Sequence, residues 1–325
     1  MGIDFLTSGN WFNTQVDFLV FLQNLRTHIG PVFDGVFMRV TELGELFVPT
    51  LVMAIIYWCF DFKAGVFLFS LNSFEMLIAQ LLKCTCCIYR PWVLSERVSP
   101  VQTALARSGG YSFPSGHSSM ISSSAGGMAF LAWKNKPLFC FLVLIILLVM
   151  FSRLYLGVHT LQDVFAGPIV ALFLIVIFNM VINYCEKDKT RYLHLLVISN
   201  ILALLVLYFI LTKNYPMDYD SGKLLVNPAK ARYIAVVYSG WILGILNGVY
   251  LCARFFRFNP KDASVRARVI RAIIGGMILF VILYFAQRYF FEGEGRYSVT
   301  FLSMFSGGFF ITAIYPLLFT KFSSK

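Results

Sequence analysis

The 325-residue chain is 58% hydrophobic and 17% aromatic but only 13% charged, with a mean hydropathy of +0.74 and a formal net charge of +11. Soluble domains carry about 25% charged residues, so this composition excludes a soluble enzyme, a nucleic-acid-binding domain and a disordered chain. What remains is a polytopic membrane protein, whose basic excess belongs with cytoplasmic loops and anionic lipid, with no nucleic-acid partner.

The first residues, Met1 to Leu6, have neither a basic stretch nor an uninterrupted apolar run, so no cleaved signal peptide is expected. Residues 10–30 interleave Trp11, Phe12, Val16, Leu19, Val20 and Leu25 with Asn, Gln and Asp17. That pattern predicts an interfacial amphipathic helix inside an N-terminal segment, 1–40. Nine runs long enough to cross a bilayer follow, at roughly 45–62, 64–83, 118–134, 137–153, 162–183, 192–212, 231–252, 269–288 and 298–320. The third opens with Ser and Gly, which suits close helix packing better than lipid contact. A polar seam at 213–230 separates a six-span core, 41–212, from three additional spans, 213–325. The fold class expected is all-α, a polytopic transmembrane helix bundle. Of the seven cysteines, Cys84, Cys86 and Cys87 cluster, but no second ligand pair stands at zinc-site spacing.

Nine spans assign a side to every loop. Basic residues are densest in the short loops 184–191 and 253–268, which are expected in the cytoplasm. Loops 91–113 and 213–230 then face outside. The stretch from Arg254 to Arg271, with Arg257 and Phe255, Phe256 and Phe258, reads as a loop in contact with anionic lipid.

Three polar islands fall on the outer face. Lys83 and Arg90 are seven residues apart, so a helix continuing past Lys83 would project both cations from one face until Pro91 ends it. Pro114-Ser115-Gly116-His117 precedes an apolar run and reads as a turn opening onto a helix N-terminus. Free N–H groups and the dipole make such a start an anion site, and Gly116 permits close backbone approach. Ser152-Arg153 is followed by His159 and then Asp163. Those last two are four apart, on one helical face, so the carboxylate can fix the imidazole tautomer and leave the other nitrogen free to attack. Three cations, a helix start, two histidines and an orienting Asp suit a phosphate group, with the histidines dividing the roles of nucleophile and general acid.

KCTCCIYRP, PSGH and SRLYLGVHTLQD match, at every defined position, the KX6RP, PSGH and SRX5HX3D pattern of type 2 phosphatidic acid phosphatases. The chain resembles that family, which includes glucose-6-phosphatase-like enzymes and vanadium haloperoxidases, over about residues 45–183. The resemblance implies that His159 becomes phosphohistidine, that Asp163 orients it, and that His117 protonates the leaving alcohol and later activates water. It also implies a phosphate clamp of Lys83, Arg90 and Arg153, completed by Ser115 and the Gly116 N–H. Ser152 belongs to the pattern without a defined role. No metal or other cofactor is implied.

The expected function is metal-independent hydrolysis of a lipid phosphate monoester or diphosphate at the outer membrane-water interface. The absence of an ER retention signal points to a bacterial cell membrane. A membrane lipid substrate is favoured because it can enter sideways between helices. The same site would serve a lipid phosphotransferase or a sugar-phosphate phosphatase, whereas haloperoxidase relatives are soluble. The rival from another class is a non-enzymatic lipid transporter or scramblase. Loss of His159 or Asp163 would favour it, and both are present. His28 and His194 stand outside the motifs and read as packing or interfacial residues. Glu75, with Asn72 three residues before it, reads equally as a functional or a structural intramembrane carboxylate. Trp92, Tyr111 and Phe113 either line a headgroup pocket or anchor the interface.

Overall fold

The computed structural model describes residues 7–220, 222–256, 258–290 and 296–320. The first six residues and Arg257 therefore lie outside it. In chain order the helices are α1 Gly9–Ile29, α2 Val32–Glu42, α3 Phe47–Ile55 (prolonged by a π turn, Ile56–Phe60), α4 Phe62–Cys86, and the short α5 Pro91–Leu94 and α6 Gln102–Arg107. They continue as α7 Gly116–Leu131, α8 Lys136–Tyr155, α9 Leu161–Lys187, α10 Arg191–Thr212, α11 Pro228–Phe255, α12 Val265–Phe290, α13 Tyr297–Phe309 and α14 Tyr315–Thr320. A two-residue hairpin, β1 Tyr219–Asp220 with β2 Lys223–Leu224, interrupts the seam before α11.

Among the described residues seven helical stretches are long and apolar enough to span: 62–94, 136–155, 161–187, 191–212, 228–255, 265–286 and 297–319. Two expected spans come out differently. The run 45–62 reaches the test only together with α2, as a pair broken at residues 43–46. The run 118–134 becomes α7, whose 16 residues rise about 24 Å, less than a full crossing. Its Ser/Gly composition explains the difference. Ser118, Ser119, Ser122, Ser123 and Ser124 are all buried, and the last two donate back to Ser119, Met120 and Ile121 carbonyls, so the helix packs against protein instead of lipid.

The chain forms two compact units. The first comprises residues 1–45, 78–172 and 214–231. Its core joins α7 to α8 through Ile121, Ala125, Ala129, Leu142 and Val149. A second cluster seats Phe12, Val16, Leu19 and Leu22 of α1 on Val98, Met150, Leu154 and Val164, while Trp11, Phe21 and Leu25 on the same helix stay exposed. Gly167 of α9 lets that helix close on α7: a Cβ there would lie 2.7 Å from the Ser119 nitrogen.

The second unit comprises residues 46–77, 173–213 and 232–325. Within it Tyr57 donates to the Thr312 carbonyl and Trp58 to that of Ile311. Asn200 and Asn247 exchange side-chain amide bonds at 3.3 and 3.0 Å, which satisfies both polar groups at membrane depth. Glu75 and Asn72 are buried in this unit.

Candidate active site

All the motif residues fall in the first unit, and local chain signals explain how they are presented. The SRX5HX3D spacing encodes a helix end followed by a helix start. α8 closes with Gly157 at φ 72°, its N–H bonded to the Leu154 carbonyl, and the Val158 N–H bonded to the Arg153 carbonyl, the two bonds of a Schellman motif. α9 then opens with one half of a capping box: Asp163 Oδ2 accepts the Thr160 backbone N–H at 2.9 Å. His159 therefore sits on the connecting turn, not on the helical face expected for it. Asp163 still reaches it from the first turn of α9, with His159 Nδ1 3.3 Å from Oδ2. Gln15 of α1 braces the same turn: its Oε1 accepts the Gln162 N–H at 3.0 Å.

Lys83 and Arg90 likewise converge by a route other than a shared helix. α4 ends at Cys86, Cys87 takes a positive φ of 50°, and Arg90 is extended before Pro91. Lys83 Nζ donates to the carbonyls of Tyr111, Ser112 and Pro114 at 3.0, 3.3 and 2.8 Å, tying down the loop that leads into α7. Arg90 holds the Gly109, Gly110 and Val158 carbonyls, and its Nη1 stands 2.8 Å from His159 Nε2. Its guanidinium also lies 5.7 Å from the Trp92 ring centroid. Arg153 Nη1 donates to Thr41 Oγ1 at 2.8 Å and Nη2 approaches Ser108 Oγ at 3.5 Å. Arg153 Nε is buried without a hydrogen-bond partner, which a phosphate oxygen would satisfy.

The expected helix start is present. Ser115 is the N-cap of α7, and its buried hydroxyl accepts from the Ser118 N–H and hydroxyl. Its own N–H donates to the Asp163 carbonyl at 2.9 Å, pinning the two motifs together. Ser115 thus acts as a cap, and the N–H groups of Gly116 and His117 belong to the first turn, which has no intrahelical acceptor for them. Ser152 is buried and donates to the Val149 carbonyl.

The hydrogen bonds assign the His159 tautomer. A guanidinium can only donate, so Nε2 accepts and Nδ1 carries the proton, facing Asp163 Oδ2 and Ser112 Oγ, each at 3.3 Å. Ser112 donates in turn to Asp163 Oδ2 at 2.5 Å. Burial, then Arg90, Arg153 and Lys83, push the imidazole well below its ordinary value and keep it neutral. His117 is lowered to about 4, first by burial and then by Arg153, against the opposing pull of Glu45. One neutral imidazole with a fixed lone pair, a second imidazole, and three cations can together accept a phosphoryl group.

Sequence reasoning missed Ser112, Thr160, Gln15, Thr41, Ser108 and Glu45. The Thr-x-x-Asp of the capping box at 160–163 was a readable signal for Thr160, and the other five carry none in their local sequence. Tyr111 is buried and stacks on Tyr215 at 6.3 Å, and Tyr89 donates to Asp218, so residues 214–231 pack beside the 109–114 loop.

Residues 63–187 match the family model of the PAP2 superfamily, and residues 236–325 match that of the PAP2 superfamily phosphatase transmembrane extension. The two matches cover about two thirds of the chain. No curated protein and no solved structure matched the chain. The candidate site lies in and around the first match, and the second begins within α11 and runs through α14. The protein is an integral membrane phosphatase, and it belongs to the PAP2 superfamily as a member that carries the transmembrane extension.

Proposed function

We propose that the protein hydrolyses a phosphate monoester or diphosphate carried on a lipid, through a phosphohistidine at His159, at the outer membrane-water boundary. The observation that carries this reading is the Arg90–His159–Asp163 array, in which the attacking nitrogen is unprotonated and its partner nitrogen is held by a carboxylate. In the first step His159 Nε2 forms a bond to phosphorus as the bond to the leaving oxygen breaks, and His117 gives that oxygen its proton. In the second step water attacks the phosphohistidine, His117 takes a proton from the water, and phosphate departs with His159 restored. Lys83, Arg90, Arg153 and the Gly116 N–H would carry the charge on the phosphoryl oxygens throughout. A lipid substrate suits this site because the motifs stand at the ends of membrane helices, where a headgroup would be in reach while its chains stay in the bilayer.

The test is phosphate release by purified protein across a panel of phosphatidic acid, phosphatidylglycerol phosphate, polyprenyl diphosphate, lipid A and glucose 6-phosphate, with and without EDTA. Release from a lipid in EDTA supports the reading. Release from glucose 6-phosphate alone would overturn the lipid assignment. Loss of all release in EDTA would overturn the metal-independent mechanism.

A further inference from the structure

The end of α2 and the turn that follows it precede the segment matched as the phosphatase domain, 63–187, yet they pack on two of the motif residues. Thr41 accepts the hydrogen bond from Arg153 Nη1 and is itself buried. Gly44 stands directly against His117: a Cβ there would lie 2.9 Å from the His117 carbonyl oxygen and 3.1 Å from its Cβ, closer than any side chain could come. That approach brings the next residue to the ring, with Glu45 Oε1 3.9 Å from His117 Nε2. Behind the carboxylate, Arg107 Nη1 reaches Glu42 at 3.5 Å and Glu45 at 4.0 Å.

We propose that Glu45 is a positioning residue for His117, its charge facing Nε2 and favouring the proton there, which leaves Nδ1 as the nitrogen that gives and takes the proton. The inference rests on the phosphohistidine reading above. The charge around the ring explains why such a partner is needed. Arg153 from the end of α8, Arg90 from the linker before α5, and the neutral His159 from the 157–160 turn surround it on the motif side, and the two arginines disfavour an imidazolium. Glu45, with Glu42 beside it and Arg107 behind, is the opposing charge. A general acid must be protonated when the leaving oxygen departs. Bound phosphate supplies part of the negative charge that keeps it so, and Glu45 supplies the rest. When His117 has given up its Nδ1 proton it keeps the Nε2–H that faces Glu45, so the nitrogen it offers to the incoming water is the one it has just vacated.

The test uses sulfate, a tetrahedral anion that stays doubly charged from pH 5 to 9, so that any pH dependence of its binding belongs to the protein. Sulfate affinity is measured for the native protein, Glu45→Gln and His117→Ala, alongside turnover of a lipid phosphate and of an aryl phosphate with a good leaving group. In Glu45→Gln the rise in sulfate affinity on acidification should move to lower pH by about one unit. Turnover of the lipid phosphate should fall about tenfold more than that of the aryl phosphate, and Glu45→Asp should recover part of the loss. A native-like circular dichroism spectrum and elution volume would show that the Gln variant is folded, and loss of sulfate binding at every pH together with equal loss on both substrates would assign Glu45 a structural role. An unmoved binding profile, or equal loss on both substrates, overturns the inference. The sulfate measurement does not depend on hydrolysis, so a protein that binds sulfate with the expected shift but releases phosphate from nothing would count against the phosphatase reading alone.

Discussion

Arg90 Nη1 lies 2.8 Å from His159 Nε2, so the lone pair that would attack phosphorus is held by a cation of the clamp itself. A substrate phosphoryl group entering the site would take over the guanidinium and release the nitrogen in one exchange. Arg90 also spans three backbone carbonyls, which uses the planar fork of an arginine and cannot be copied by a point-charge ammonium. Arg90→Lys should therefore lose about as much turnover as Arg90→Ala, on the order of 10²–10³-fold. Steady-state rates of the two variants on one substrate check this, and near-native activity in the lysine variant would contradict it.

Asp163 accepts from Ser112, from the Thr160 N–H and from His159 Nδ1 on a single oxygen. Asp163→Asn keeps the shape but removes the charge that favours the Nδ1–H tautomer. Turnover should fall by roughly 10³–10⁴-fold, as tautomer errors do in related triads. Sulfate binding should change much less, because the clamp is untouched. Parallel loss of both would instead indicate a collapsed α8–α9 turn.

Before an anion binds, His117 is neutral at pH 7, since it is held at about 4. An arriving dianion favours the imidazolium and raises that value, so binding takes up a proton. By linkage, sulfate affinity should increase as pH falls from 8, by at most tenfold per unit, and level off near 4 where His117 is protonated before the anion arrives. Titrations across this range should show the slope in native protein and a flat line in His117→Ala. A slope surviving in that variant would place the proton elsewhere.

The sidedness rests on basic density in short loops. In a variant without native cysteines, Cys introduced by Lys223→Cys should react with an impermeant thiol reagent on intact cells, and Cys introduced by Ser264→Cys should not. Both positions are exposed. The reverse pattern would put the active site in the cytoplasm and redirect the search to inner-leaflet or soluble phosphates.

What the sequence discloses depends on how far apart the cooperating residues lie. Arg153, His159 and Asp163 are legible because one helix end and one helix start fit within eleven residues, and each terminus has its own chemistry, Gly157 for the first and Thr160 with Asp163 for the second. The PSGH start is legible for the same reason. The path of Lys83 and Arg90 is not, because the reversal turns on Cys87 at positive φ, a conformation that cysteine does not advertise. The length of α7 was hidden because a Ser/Gly-rich helix buried in protein has the hydropathy of a weak span. Thr41 lies 112 residues from Arg153, and Glu45 precedes His117 across four helices, α3 to α6, so no spacing could have joined them to the site.

A phosphoryl bond to His159 can be trapped directly. A lipid substrate carrying ³²P in the transferable group is mixed with purified protein and quenched in alkali within one turnover. Label on the chain should survive alkali, be lost in acid, map to the peptide containing His159, and be absent from His159→Ala. Rapid release of labelled phosphate in that variant, or complete turnover by native protein with no alkali-stable label at any time, would contradict a phosphohistidine at His159.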